Sequence, residues 1–440
     1  MAEHRLGARL PELPKDKEFE EYISAYFQAS GYYIERNVIE RAPKEVLELD
    51  IISTDYSVTP PEVRLLEVKS GAWGFADLFK QRGWMDYLNV SRGMLIASGG
   101  KDDVDFFAEK AARLGINLLV ISSLSESKKV LAEFIETGAM DDLDVSVWRF
   151  SYWVERNLLR RLKDQKKIYP DMKRYKALDK YYFEVTSGIF FTENIVQKAD
   201  RLYSAFQEFP RISAKCGHEI LGDDFDGDYK TVPKSVFEDT RYRCLYTDLQ
   251  ISTFVEHRAR LAILKNAVDY KLYRNAGAEN KTGSVSDRLG LSFVSLFELL
   301  PTSFQEGLES ISKDEYFHRY PVFWQWFLWV FGGFILKDYE EKEYEILSRK
   351  TGVPVDEVPN ALDAYQALFP RDDGWFDDLS PGSNVKVMKL CPVPFMGVGA
   401  HYRALLHTQS GELPALEVSG EYTLNDLIKW NNLGVTVLQG

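Results

Sequence analysis

Two acidic residues and a lysine lie near the ends of neighbouring predicted strands, at a spacing that could hold a metal ion and activate water. Asp50 ends one strand pattern, and seventeen residues later the next strand ends in Glu67-Val68-Lys69. Because side chains alternate along a strand, Glu67 and Lys69 point to one side of the sheet and Val68 points to the other. Asp50 on the adjacent strand can then meet Glu67 across the ladder.

These side chains predict a hydrolytic metal site. Two carboxylates and a main-chain carbonyl form a set of hard oxygen ligands of the kind that Mg²⁺ prefers. A lysine beside that site can hold an attacking water or help to deprotonate it. Glutamate and lysine also alternate on ordinary solvent-facing strands, so the surrounding elements decide between the two interpretations.

Helices and strands alternate over the first 120 residues in an order that places these side chains on a sheet. Residues 16–30 carry Phe19, Ile23 and Phe27 on one helical face, and Gly31 ends the helix. The other predicted elements are strands at 32–39, 46–52 and 63–68, a helix at 75–88, a strand at 93–97, a helix at 103–114 and a strand at 116–121. This order predicts an α/β fold with a mixed sheet flanked by helices.

The sequences LELD and LLEVKS within this order resemble the core of the PD-(D/E)xK superfamily, the restriction-endonuclease-like nucleases. The first helix, EFEEYISAYFQASGYYIERN, is similar to the opening of Mrr-like restriction enzymes, and this match assigns their helical acid to Glu20, with Glu21 as the alternative. The helix DLFKQRGWMDYL looks like the glutamine-bearing helix of many members, with Gln81 at the matching place. Leu49 stands where the superfamily name has proline. The resemblance covers residues 16–121 and implies a restriction-endonuclease-like fold.

The resemblance also implies a set of roles. It places Mg²⁺, for which Mn²⁺ can substitute, on four groups: Glu20, Asp50, Glu67 and the main-chain carbonyl of Val68. Lys69 would position the nucleophilic water, and Gln81 would hydrogen-bond the lysine, the water or a substrate phosphate. Tyr87 lies six residues after Gln81, which does not fit the tighter spacing of RecB-like exonucleases and therefore weighs against an exonuclease of that type.

The remainder of the chain has a different pattern. The alternation of helices and strands ends around residues 137–145, and the sequence is then mostly helical to about residue 368. We therefore predict a nuclease-like domain at 1–145, a mostly α-helical domain at 146–376 and a small C-terminal α+β segment at 377–440. Short strands are predicted in that last segment at 385–390 and 435–438.

The net charge of −13 excludes a protein that coats nucleic acid by bulk electrostatics, because such proteins are basic. Residues 1–145 carry a net charge of −9, whereas residues 149–180 contain 11 basic and 4 acidic residues. Arginine, lysine and tyrosine are interleaved there, which suits contact with phosphates and bases. A basic face that pairs with the acidic nuclease-like domain explains the composition equally well.

Localisation in the cytoplasm is expected from three scattered cysteines and from an N-terminal stretch without an apolar signal segment. The longest apolar run, residues 321–336, has 16 residues and is shorter than the roughly 18–20 that span a bilayer. We expect it to form a buried core helix rather than a membrane segment.

The function predicted from the sequence is a Mg²⁺-dependent nuclease that hydrolyses phosphodiester bonds, with DNA favoured over RNA. By resemblance, bacterial defence against phage or foreign DNA is a frequent setting for this architecture. The helical region could mediate homo-oligomerisation or bind a partner protein. The alternative is a scaffold or nucleic-acid-binding protein whose nuclease-like fold has lost its activity.

Overall fold

The protein is described by a computed structural model. It describes residues 16–40, 47–99, 102–135, 140–168, 240–275, 300–370, 376–378, 385–388, 393–410, 417–419 and 422–423. The chain divides into two compact units. Of the described residues, the first unit contains those up to Arg149 and those from Asn266 to Asn275. The second unit contains Phe150 to Ile168, Thr240 to Lys265 and the described residues from Leu300 onwards.

A five-stranded mixed sheet forms the centre of the first unit. Its strands are β1 (Tyr33–Glu40), β2 (Leu47–Asp55), β3 (Glu62–Lys69), β4 (Arg92–Ser98) and β5 (Ile116–Ile121). They lie in sequence order, with β1, β2 and β3 antiparallel and β3, β4 and β5 parallel. Four of the described helices pack on the sheet: α1 (Asp16–Ala29), α2 (Phe75–Leu88), α3 (Val104–Arg113) and α4 (Leu124–Ala132). A fifth, α5 (Asp142–Ile168), starts in the first unit, and its residues from Phe150 onwards belong to the second. The predicted mixed α/β sheet with flanking helices is confirmed.

The strand that carries Asp50 is longer than its sequence pattern indicates. The prediction ends this strand at residue 52 and places Asp50 at its end, but β2 continues to Asp55 and Asp50 lies in its middle. The reason is that β1 pairs with β2 on both sides of Asp50, from Leu47 to Thr54, and so keeps the strand extended.

Helix α4 and the start of α5 differ from the elements predicted from the sequence. Ser123 accepts a hydrogen bond from the backbone N–H of Glu126, so the S-x-x-E pattern is the cap of α4, a helix that was not predicted. Asp141 and Asp144 each accept a hydrogen bond of 2.9 Å from the other's backbone N–H at the start of α5. The acidic stretch that predicts a domain boundary near residue 145 therefore starts a helix, and α5 runs through that position.

The first unit also draws on residues far along the chain. Tyr56, which follows β2, donates a hydrogen bond of 2.6 Å to Asp269 Oδ1, and both side chains are buried. Asp269 lies on α6 (Thr240–Asn275), in the part of that helix that belongs to the first unit. A domain that ended at residue 145 would thus lack a buried partner of Tyr56.

Helix α2 lies against β4 at a residue that has no side chain. A Cβ atom added to Gly93 would lie 2.5 Å from Met85 Sδ and 3.0 Å from Gln81 Nε2, both on α2. The core around this contact includes Leu65, Leu78, Met85, Leu95 and Ile116. The absence of a side chain at Gly93 therefore allows α2, which carries Gln81, to approach the sheet closely.

The second unit contains, besides most of α5 and α6, further helices and short strands. The helices are α7 (Thr302–Ile311), α8 (Tyr320–Trp329), α9 (Glu340–Thr351), α10 (Val358–Leu368) and α11 (Val393–Ser410), with 3-10 turns at Phe317–Arg319 and Val355–Glu357. The strands are β6 (Phe334–Leu336), β7 (Phe376–Asp378), β8 (Val385–Met388), β9 (Glu417–Ser419) and β10 (Tyr422–Thr423). The strand predicted at 385–390 corresponds to β8, and the one predicted at 435–438 lies outside the described residues.

The long apolar run is buried, as predicted, but it is not one helix. It forms α8, a turn at Gly332 and Gly333 with positive φ angles, and then β6. A side chain on Gly332 would collide with the backbone of Phe395, so packing fixes the turn. No helix among the described residues is long and apolar enough to cross a membrane.

A buried ion pair anchors this turn to the rest of the second unit. Arg403 on α11 is fully buried and binds both carboxylate oxygens of Glu343 on α9 at 2.9 Å through Nε. Its remaining nitrogens donate to the backbone carbonyls of Phe331 and Phe334 at 2.8 and 2.7 Å. Because every side of the guanidinium has a partner, the desolvation cost of the buried charge is largely compensated.

Substituting Gly93 should destabilise the first unit. We expect Gly93→Val to lower the free energy of unfolding by about 1–3 kcal/mol, because a buried overpacked site forces its neighbours to shift. Gly83→Ala on the exposed side of α2 is the matched control, since its Cβ meets nothing within 4 Å. Denaturant unfolding of both variants measures the effect, and equal stability of the two would contradict it.

Candidate active site

Asp50 and Glu67 lie side by side where the ladder between β2 and β3 stops. Its last backbone pair is Ile51 with Leu66, so Asp50 and Glu67 are the next positions along the two strands. Beyond this last pair, the Asp50 side chain links the two strands, because its Oδ2 accepts a hydrogen bond of 2.8 Å from the backbone N–H of Val68. The structure therefore brings the two predicted acidic residues together and fixes one of them on the strand of the other.

Glu67 is buried and paired with two lysines. Its side chain is 2% exposed, and its Oε1 lies 2.6 Å from Lys69 Nζ and 2.8 Å from Lys80 Nζ. Glu67 and Lys69 share one side of β3, as strand alternation predicts, and Val68 between them is buried on the other side. Lys69 Nζ also lies 3.9 Å from Asp77 Oδ1 at the start of α2.

Burial and a neighbouring carboxylate change the protonation of Asp50. Burial, followed by the charge of Glu67, raises the pKa of Asp50 to about 7. The hydrogen bond from Val68 and the charge of Lys69 act in the opposite direction and only partly offset the rise. A divalent cation beside Asp50 would stabilise the charged form of its carboxylate, which burial and the charge of Glu67 disfavour.

Lys69 carries its proton at neutral pH. Burial lowers the pKa of Lys69, but the hydrogen bond and charge of Glu67, with Asp50 and Asp77 adding to them, outweigh burial and raise that pKa overall. A protonated ammonium group cannot accept a proton from water. Of the two roles that the sequence leaves open, holding the water fits this environment and deprotonating it does not.

Helix α1 brings a third carboxylate into the same electrostatic field. Burial raises the pKa of Glu20, and the charge of Arg36 partly opposes the rise. The charge of Glu20 in turn contributes to the raised pKa of Asp50. Glu21, the alternative from the sequence, has a buried side chain, whereas Glu20 is partly exposed.

Gln81 has different partners from those that the resemblance implies. Its Nε2 donates to the backbone carbonyls of Leu65 on β3 and Met94 on β4, at 3.0 and 2.9 Å, and its side chain is 1% exposed. Both amide hydrogens thus hold two neighbouring strands together. The absence of a side chain at Gly93 lets the amide reach the backbone of the sheet, and the hydrogen bond to Lys69, water or phosphate stays a prediction.

The chemistry of these donors fits a hard cation, although the side chains do not enclose one. Asp50, Glu67 and the Val68 carbonyl are oxygen ligands, and the repulsion between the carboxylates would be relieved by positive charge. Within the described residues, no group of three or more His, Cys, Asp or Glu side chains converges as a metal centre would. Glu67 instead points to the ammonium groups of Lys69 and Lys80.

The contacts of Lys80 with Glu67 and with Trp84 are not predicted from the sequence. Lys80 lies on α2, and its ammonium group is 4.2 Å from the centre of the Trp84 ring, one helical turn away. A lysine directly before Gln81, with an aromatic residue four positions later, is the signal that could have drawn attention to it. Asp77 on the same helix accepts a hydrogen bond from the backbone N–H of Gly74, which fixes the start of α2.

Comparison with known proteins adds no assignment. No protein-family model matches this chain, and neither characterised proteins nor solved structures give a match. The function is therefore inferred from the geometry and chemistry of the residues described above.

Asp50 should make the metal-free protein less stable as the pH rises. Its pKa in the folded protein, about 7, exceeds the value of about 4 expected after unfolding, so the folded state binds the proton more tightly. The stability that comes from the protonated form is complete below about pH 4 and is lost as the pH rises through about 7.

Denaturant unfolding in a chelator at pH 5 and pH 8 would measure this effect, with Asp50→Asn as the control that cannot ionise. We expect the native protein to lose more unfolding free energy between the two pH values than the variant does. An identical pH dependence in the two proteins would show that Asp50 has an ordinary pKa.

Proposed function

We propose that the first unit is a Mg²⁺-dependent endonuclease of the PD-(D/E)xK type that hydrolyses phosphodiester bonds, with DNA favoured over RNA. The observation that carries the proposal is the pair of adjacent carboxylates, Asp50 and Glu67, with Lys69 in contact with Glu67. By resemblance alone, we propose defence against phage or foreign DNA as the setting.

Four groups would hold the metal ion: Glu20, Asp50, Glu67 and the Val68 carbonyl. A bound Mg²⁺, or Mn²⁺ in its place, supplies a more acidic water and positive charge for the phosphate oxygens. The buried strands keep Asp50 and Glu67 in fixed positions, because β2 is paired with β1 and β3 with β4 on their outer sides. Such rigidity favours a site whose ligands are placed before the substrate arrives.

Lys69 would act on the water and on the developing negative charge. Its ammonium group donates to the water that attacks phosphorus, and the bond from phosphorus to the 3′ oxygen breaks. The 3′ oxygen then takes a proton from solvent, which leaves a 5′-phosphate and a 3′-hydroxyl. The proton of the attacking water leaves to solvent, because Lys69 is already protonated.

A stripe of basic side chains in the second unit supports a nucleic-acid partner. Arg156, Arg160, Lys163 and Lys167 are exposed on α5 at spacings of four, three and four residues, which puts them on one helical face. They belong to the basic stretch of residues 149–180, of which 169–180 lie outside the described residues. Side chains of this type bind phosphates without reading sequence.

One observation favours the alternative of an inactive scaffold. Lys69 and Lys80 both form ion pairs with Glu67, so its negative charge is compensated without a metal ion. In that case the buried cluster would only stabilise the sheet, and changes to it would affect folding but no reaction.

Substitutions within the cluster separate the two functions. Asp50→Asn and Glu67→Gln should weaken Mn²⁺ binding and abolish cleavage together, because each removes a negative ligand. Lys69→Met should leave metal binding intact or tighten it, while cleavage falls by several orders of magnitude. Glu20→Gln should have an intermediate effect. Calorimetry with Mn²⁺ and cleavage of plasmid, linear DNA, single-stranded DNA and RNA provide the two measurements. Normal cutting by Lys69→Met, or full metal binding and activity in Asp50→Asn, would refute the nuclease site.

Neutralising the α5 stripe should weaken nucleic-acid binding at low salt. We expect the triple change Arg160→Gln, Lys163→Gln and Lys167→Gln to reduce affinity for every sequence. The salt dependence should become shallower, by about one unit of slope for each phosphate that the variant no longer neutralises. A control triple change, Arg113→Gln, Lys128→Gln and Lys129→Gln, removes the same charge from exposed positions of the first unit. An equal decrease in affinity in the two triple variants would show that only net charge matters.

A further inference from the structure

Two ammonium groups share a single oxygen of Glu67. Lys69 approaches Oε1 from the same strand, and Lys80 approaches it from α2, at 2.6 and 2.8 Å. The Lys69 side chain is 26% exposed and that of Lys80 is 42% exposed. A carboxylate oxygen that binds a divalent cation cannot keep both ammonium groups at this distance, since the three positive charges repel one another.

The surroundings of the two lysines indicate which one leaves. Lys69 is held near the site by its place on the central strand β3 and by the charges of Asp50 and Asp77. Lys80 is more exposed, and it has a second contact that does not involve Glu67, the face of the Trp84 ring at 4.2 Å. A lysine over an aromatic ring keeps a favourable contact for its charge after the ion pair breaks.

We propose that Lys80 is a metal-responsive positioning residue. In the metal-free protein it neutralises Glu67. When a divalent cation binds Glu67, Lys80 is released, remains beside Trp84 and contacts a phosphate of the nucleic-acid substrate. This inference rests on the proposed function, and it links metal binding to substrate binding through one side chain.

The first part of the test measures metal binding without any reaction. Lys80→Met should bind Mn²⁺ about fivefold more tightly than the native chain, the equivalent of a partly exposed ion pair that no longer competes for Glu67. Lys80→Arg retains the charge and should behave like the native protein. Lys129→Met, an exposed lysine on α4, removes the same charge elsewhere and should leave Mn²⁺ affinity unchanged.

The second part measures cleavage of a labelled DNA in saturating Mn²⁺. Lys80→Met should raise KM several-fold with little change in kcat, because methionine cannot bind the phosphate and the metal ligands stay in place. Lys80→Arg should restore KM. Lys69→Met should do the reverse and lower kcat, which separates the two lysines. A merely structural role for Lys80 would change neither constant in this pattern.

The outcomes distinguish this inference from the proposed function. If the native chain binds no Mn²⁺ and cuts no nucleic acid, the proposed function fails and the inference fails with it. If the native chain does both, but Lys80→Met has the Mn²⁺ affinity and KM of the native protein, the inference alone is overturned. Tighter Mn²⁺ binding together with a raised KM in Lys80→Met, rescued by arginine, supports it.

Discussion

The repulsion between two carboxylates on neighbouring strands is the constraint to which the first unit is adapted. Asp50 and Glu67 are adjacent where the ladder between β2 and β3 ends, and Glu67 is almost completely buried. Charges in such a place need partners, because burial without compensation costs several kcal/mol. Here a backbone N–H binds Asp50, two lysines bind Glu67, and Asp50 itself has a raised pKa. The same properties make the site attractive to a divalent cation.

The position of α2 determines which of its side chains can pair with the charged groups of Glu67 and Lys69. Gly93 allows the helix to approach β4 closely, and Gln81 then bonds to the backbone of both β3 and β4. With the helix fixed in this way, Lys80 reaches Glu67 and Asp77 comes near Lys69. Gln81, which the resemblance implies is catalytic, thus holds α2 on the sheet. Lys80 beside it is the residue of α2 that binds Glu67.

Periodicity and end signals were enough to locate most elements of the first unit. The helix at Phe75–Leu88 and the strand at Ile116–Ile121 have the predicted bounds, because glycine and turn residues mark their ends. Where predicted and observed elements differ, the causes are local or long-range. The acidic stretch before α5 supplies a helix cap that looks like a linker in the sequence, and the apolar run at 321–336 bends into a strand because Gly332 packs against the backbone of Phe395.

The sequence by itself determined that Glu67 and Lys69 share one side of a strand, since alternation depends only on local backbone geometry. It also indicated that Asp50 on the neighbouring strand could meet them. Only the tertiary structure decided that Lys80 binds the same oxygen as Lys69, that Gln81 bonds to the backbone, and that Asp269 is the buried partner of Tyr56. Those contacts join residues 13 to 213 positions apart, and their geometry comes from how helices pack on the sheet, which no local pattern encodes.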